Sequence, residues 1–306
     1  CHPVLEDGLL KREYVDSERT NLLDAIRSAV NDKRTYAGKR LLEEMCRGEA
    51  YGLSHIGEEA DVAPITAESL TRHYEAQLAS SRLELYYCGR AELERVTAAV
   101  EPILRDLPVS RETAIAPPLV HPVRSEPLVI RQAMDVTQGK LSVGFSVDCK
   151  DRDAVFVMNT MFGATSNSKL FLNVREKLSL CYYASSAYHR SKNLITVSSG
   201  IEFKNYQKAL DEILAQLECM KQGDWEDWEL TGARSCIANG HRSIGDSAGR
   251  LEDFYMGQIA TGQQNSPESL MEAALAVTPE RIMAAARAVS LDTIYFLTGK
   301  EEMDRA

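Results

Sequence analysis

Apolar positions recur along this chain at two spacings, and the switches between them lay out its elements. Leu22, Leu23, Ile26, Ala29 and Val30 make one helical stripe, with Asp16 or Ser17 placed to cap it. Residues 33–47 repeat the pattern through Tyr36, Leu41, Leu42 and Met45. Gly48, Gly52, Gly57 and Pro64 then mark a loop, after which Thr66 caps a helix over 67–78. Leu83, Leu85 and Tyr87 alternate as a strand closed by Gly89. A helix over 91–107 carries Leu93, Val96, Val100, Ile103 and Leu107, and Pro102 should kink it.

The pattern breaks at residues 108–127, which hold five of the ten prolines. So dense a cluster is neither helix nor central strand and predicts an extended linker, hence a domain boundary between 1–107 and 128–306. Beyond it, 128–134 is a strand, and Leu141, Val143, Phe145 and Val147 alternate as another. A helix is expected over 151–161 and a strand over 194–199. The clearest amphipathic helix runs through Tyr206, Leu210, Ile213, Leu214, Leu217 and Met220. Helices near 224–244, 247–261, 267–275 and 279–289 and a strand over 293–297 complete the chain.

Between these lies FGATSNSKLFLNVREKLSLCYYASS, residues 162–186. A small polar turn ending in the candidate cap Ser168 leads into a helix striped by Leu170, Phe171, Val174 and Leu178. The spacing then changes to that of a strand, 180–188. Arg175 and Tyr182 fall on either side of this junction, a place that allows a guanidinium and a phenol to converge on one point. Tyr183 alternates to the opposite strand face, so the seven-residue spacing favours Tyr182. The whole stretch resembles the second-domain signature of the insulinase-like (M16) zinc peptidases: a glycine/serine turn, "LF", "REK", then "L-x-Y" entering a serine-containing strand. The resemblance extends more weakly over nearly all of the chain. It is nearest to the small bacterial members that lack the metal motif and work beside a zinc-bearing sister subunit. It implies that Arg175 and Tyr182 bind substrate backbone and stabilise the reacting carbonyl oxygen.

An internal repeat is also legible. Ile65-Thr-Ala-Glu leading to the strand closed by Gly89 parallels Val277-Thr-Pro-Glu leading to the strand closed by Gly299. The expected fold is therefore α+β, with two tandem M16-type domains, each a mostly antiparallel sheet backed by helices. The second copy spans about 180 residues, so the first is expected to lack roughly 70 residues of its front half. In M16 proteins that is where a catalytic subunit carries its metal motif. The start at Cys1, without methionine, points the same way, to a fragment.

Composition narrows the partners. A net charge of −10 argues against nucleic acid and anionic membrane, and no apolar run reaches the length of a membrane span. Seven scattered cysteines without a C-x-x-C pair suggest reduced thiols and a cytoplasmic setting. The six histidines form no H-x-x-E-H, so no zinc site of the chain's own is expected, and zinc would reside in a partner. Glu18 lies near where the family places its third zinc ligand. Alone it cannot hold the metal and is sufficiently explained as a first-turn acid. Glu43 and Glu44 point about 100° apart on their helix and are not a catalytic pair. Residues 195–198 offer either a sheet edge to an extended peptide or a core strand.

Together these features predict a peptidase-like subunit, inactive alone. It would supply Arg175 and Tyr182 to peptide hydrolysis by a zinc-bearing sister subunit in a heterodimer, or assemble as a homodimer. The alternatives are a non-catalytic scaffold of M16 fold and the remainder of a self-sufficient zinc peptidase.

Overall fold

A computed structural model describes residues 3–105 and 120–300. Leu107 and residues 108–119 of the expected linker lie outside them, and 120–127 runs without helix or strand. The chain divides into two compact units that interleave in sequence. Of the described residues, one takes 3–30, 55–105 and 248–263, and the other takes 31–54, 120–247 and 264–300.

In the first unit a two-stranded hairpin, β1 (Leu5–Glu6) and β2 (Leu9–Leu10), leads into helix α1 (Arg12–Ser28). The helix begins four residues before Asp16, after Lys11, so neither Asp16 nor Ser17 caps it. Thr66 does cap its helix, α4 (Ala67–Ser80), accepting from Ser69 N in a reciprocal capping box. A short helix α3 (Glu59–Val62) precedes it, and α5 (Leu93–Arg105), carrying Pro102 inside it, and α9 (Ala248–Ala260) complete the unit. The expected strand at 83–89 does not form: residues 81–88 are irregular, and Leu83 and Leu85 are 45% and 63% exposed. Alternation alone does not make a strand. The ladder needs a partner, and among the described residues of this unit none pairs with 81–88.

The second unit holds the large core. Its five strands are β3 (Leu128–Met134), β4 (Gly139–Val147), β5 (Cys181–His189), β6 (Leu194–Ile201) and β7 (Val289–Gly299). They lie in the order β3-β7-β4-β6-β5; β3 and β7 run parallel and every other pair is antiparallel. The α+β class with a mostly antiparallel sheet thus holds here. The alternation in β4 explains why both faces are covered. Leu141, Val143, Phe145 and Val147 enter the main core with α6 (Arg152–Asn159), α7 (Tyr206–Gln222), α8 (Asp227–Arg242), α10 (Pro267–Leu275) and α11 (Pro279–Arg287). The intervening Ser142, Gly144 and Ser146 are small, and on their side lies α2 (Lys33–Met45). A Cβ on Gly144 would stand 2.6 Å from Met45 Sδ, so the glycine leaves room for the Met45 thioether against this strand. Ala37 and Leu41 of α2 pack on Tyr295 and Leu297, and Met45 packs on Leu194.

The internal repeat is half realised. Thr278 caps α11 as Thr66 caps α4, but only the second copy's strand, β7, sits in a sheet, paired on both sides.

Candidate functional site

The stretch 160–177 is two helical pieces joined by a turn at 165–168, and both pieces are wound differently from expectation. After α6 the chain makes one π-helical turn, Thr160–Ala164, and Leu170–Lys177 is again π-helical. Such i→i+5 winding is uncommon and recurs at functional sites. Ser168 Oγ accepts from Phe171 N at 3.4 Å, a long version of the expected cap. The expected stripe divides: Leu170 and Val174 are fully buried, whereas Leu178 is 44% exposed. The cause is the chain reversal that follows, where Leu178 N donates to Asn173 O, Leu180 N donates to Val174 O, and Ser179 takes a φ of 50°. Gly163 lets this segment lie against β5. A Cβ there would fall 2.6 Å from Ser186 Oγ and 2.8 Å from Ser186 Cβ.

Arg175 and Tyr182 therefore stand on either side of a tight junction and line one hollow of about 410 Å³, with Ser179, Cys181, Glu202 and Asn205. The Arg175 guanidinium lies 4.6 Å over the Phe171 ring, and its Nε is 3.6 Å from Glu176 Oε1. Tyr182 is 62% exposed. It is the extra residue of a bulge, since Cys181 pairs with Ile201 and Tyr183 already with Gly200. Tyr183 is not turned away from Arg175, as simple alternation predicts. It and Arg175 line a second hollow of about 250 Å³, so the arginine borders both.

Two further cations surround Tyr183. Arg34, in the first turn of α2, lies 4.0 Å over its ring and donates to Ser185 Oγ at 3.3 Å, and the Lys140 ammonium is 5.9 Å from the same ring. Burial, then the nearby Arg34 charge, lowers the Lys140 pKa, and burial raises that of the Tyr183 phenol. Nothing local in the sequence marks Arg34, which lies about 140 residues before Arg175. Gly200 allows the Tyr183 ring to lie on β6, because a Cβ there would be 2.5 Å from Tyr183 Cε1.

The other sequence candidates take structural places. Glu18 is exposed on α1. Glu43 and Glu44 share Arg40, whose two terminal nitrogens donate to them at 2.6 and 2.7 Å. Residues 195–198 are not an edge, since β6 lies between β4 and β5; the free edge on this side of the sheet is β5 itself. Among the described residues one set of three metal-ligating side chains converges, Cys46, Glu49 and His121. It does not fit a catalytic zinc, which needs an open position beside substrate. Cys46 and His121 are buried, and none of the three lines either hollow.

Residues 64–235, more than half of the chain, match the family model described as the peptidase M16 inactive domain. The probable inactive metalloprotease YmfF of Bacillus subtilis is 35% identical over 303 residues, covering 98% of this chain and 71% of that protein. An uncharacterized zinc protease of Streptomyces coelicolor is 23% identical over 298 residues, covering 94% of this chain and 64% of its own length. A conserved protein from Enterococcus faecalis has a crystal structure matching at a TM-score of 0.88 and 28% identity, over 97% of this chain and 71% of that one. The M16 inactive domain from Pseudomonas fluorescens shares the fold at a TM-score of 0.75 and 15% identity, over 95% and 72% of the two chains. With the family model and the Bacillus relative in agreement, the chain belongs to the M16 peptidase family, through the domain that family calls inactive.

Proposed function

We propose that this chain is part of a peptidase-associated M16 subunit that binds peptide for a zinc-bearing sister subunit and performs no hydrolysis alone. On this reading 1–107 is the later part of a first M16 domain and 128–306 a second, substrate-binding one, while the compact units interleave across that boundary. One observation carries the role: Arg175 and Tyr182 line a single open hollow at a helix-to-strand junction. Arg175 presents a fork of donors to a peptide carbonyl or terminal carboxylate. The Tyr182 phenol donates to the oxygen on which charge develops as the carbonyl is attacked. The attacking water and its metal belong to the partner in a cytoplasmic heterodimer, and no step runs through a metal on this chain.

The test mixes the full-length protein with its sister subunit and follows peptide cleavage with Arg175→Ala and Tyr182→Phe. Loss of a charge-assisted hydrogen bond, about 1.5–3 kcal/mol, lowers kcat/KM by roughly 10- to 150-fold for Arg175→Ala. Activity unchanged in both variants removes the pair from the mechanism. A non-catalytic scaffold is the second assignment. It is favoured by the contacts Arg175 already holds, with its guanidinium over the Phe171 ring and its Nε near Glu176, which position the side chain without any substrate.

A further inference from the structure

We propose that Cys46, Glu49 and His121 supply three ligands of a structural site for a divalent transition metal, zinc foremost, pinning the segment before β3 to the end of α2. The site is separate from the hollow bordered by Arg175 and Tyr182 and does not depend on the role given to it. Three observations converge. First, the donor atoms Cys46 Sγ, a Glu49 carboxylate oxygen and His121 Nδ1 all lie within 4.8 Å of one another. His121 Nδ1 is 2.7 Å from Glu49 Oε1 and 4.0 Å from Cys46 Sγ. Tetrahedral coordination at ordinary bond lengths sets such donors roughly 3.3–3.6 Å apart, so the Glu49 oxygen retreats and the sulfur advances by about half an ångström each. Thiolate, imidazole and carboxylate form a mixed donor set suited to zinc and unsuited to magnesium or calcium.

Second, the ring of His121 is already aimed. Its Nε2 sits 3.1 Å from Oδ2 of Asp292, a carboxylate with no exposure. Asp292 is fixed in turn by Arg124 Nε at 3.1 Å and Thr293 Oγ1 at 2.7 Å. A carboxylate holding the far nitrogen of a ligating histidine is the usual outer support of a metal site, and it turns Nδ1 toward Cys46 and Glu49. Third, the charged neighbours of the cluster are themselves paired. The groups facing the cluster are Asp292, Arg124 and Lys192, the last paired with the second oxygen of Glu49.

The experiment dialyses the whole protein against chelator, titrates it with Co²⁺ and then displaces the cobalt with Zn²⁺. One cobalt per chain is expected, with a thiolate-to-cobalt charge-transfer band that zinc abolishes. Cys46→Ser, nearly isosteric, removes the band while circular dichroism stays native. His121→Ala lowers affinity at least tenfold, and Asp292→Asn lowers it 10- to 100-fold with the band retained. Cys88→Ser and Cys236→Ser, at exposed thiols, leave binding unchanged. Absence of a band in the wild type, a band surviving Cys46→Ser, or binding that follows Cys88 or Cys236 overturns the site.

Discussion

Gly163→Ala tests whether the candidate site depends on the close approach of the π-helical turn to β5. The added methyl meets Ser186 Oγ at 2.6 Å, Leu170 Cδ1 at 2.7 Å and Ser186 Cβ at 2.8 Å. The leucine tip can swing, but Ser186 is held by its strand, so the turn must lift. Forcing a methyl into a filled core costs about 1–3 kcal/mol. Against this, alanine narrows the unfolded ensemble relative to glycine and returns about 0.4–1 kcal/mol. The net expectation is a loss of about 1–2 kcal/mol, which is a urea midpoint lower by roughly 0.3–0.7 M for a slope near 3 kcal/mol per M. Both tryptophans, Trp225 and Trp228, belong to the larger unit, so their fluorescence follows its unfolding without the other. Adding Ser186→Gly removes the obstructing atoms, and a double-mutant cycle should give a coupling of about 1 kcal/mol. A Gly163→Ala midpoint equal to or above wild type, or no coupling, refutes the steric account.

Leu41→Ala removes a fully buried contact on Tyr295 and Leu297 and should cost about 2–5 kcal/mol, read by the same fluorescence. Asp151 caps α6 and takes two hydrogen bonds from Arg281, and this pairing holds its carboxyl below the usual 3.8. A depressed folded-state pKa gives stability that is present above pH 4 and lost as pH falls through the lowered value. Asp151→Asn should therefore flatten the acid limb of the stability curve, checked by urea titrations across pH 2–5. Gly223 ends α7 with a φ of 79°, and a Cβ there would also meet Met283 Sδ at 2.7 Å. Gly223→Ala should cost about 1 kcal/mol or more, seen as a lower thermal midpoint.

What the sequence made legible were features set by neighbours in the chain. The caps at Thr66 and Thr278, the alternation of β4 and the stripe of α7 all appear where short-range pattern puts them. The helix-to-strand junction between Arg175 and Tyr182 was visible for the same reason. Features set by distant partners were not. A strand at 83–89 failed because its pattern says nothing about a pairing partner. Tyr183 reached the wrong side because one extra residue at Tyr182 shifts the register, which no propensity encodes. Arg34 and His121 join their clusters only through tertiary folding, and neither has a neighbour in sequence that announces it.

The irregular run at 81–88 carries a consequence for handling the protein. Among the described residues no strand pairs with it, and Leu83 and Leu85 are exposed. An exposed backbone run without a strand partner, flanked by apolar side chains, is a template for pairing with a similar run. Self-association at high concentration is therefore expected to run through this segment rather than through the well-packed sheet. A lysine in place of Leu85 is the change that blunts that stickiness while leaving the buried interior alone.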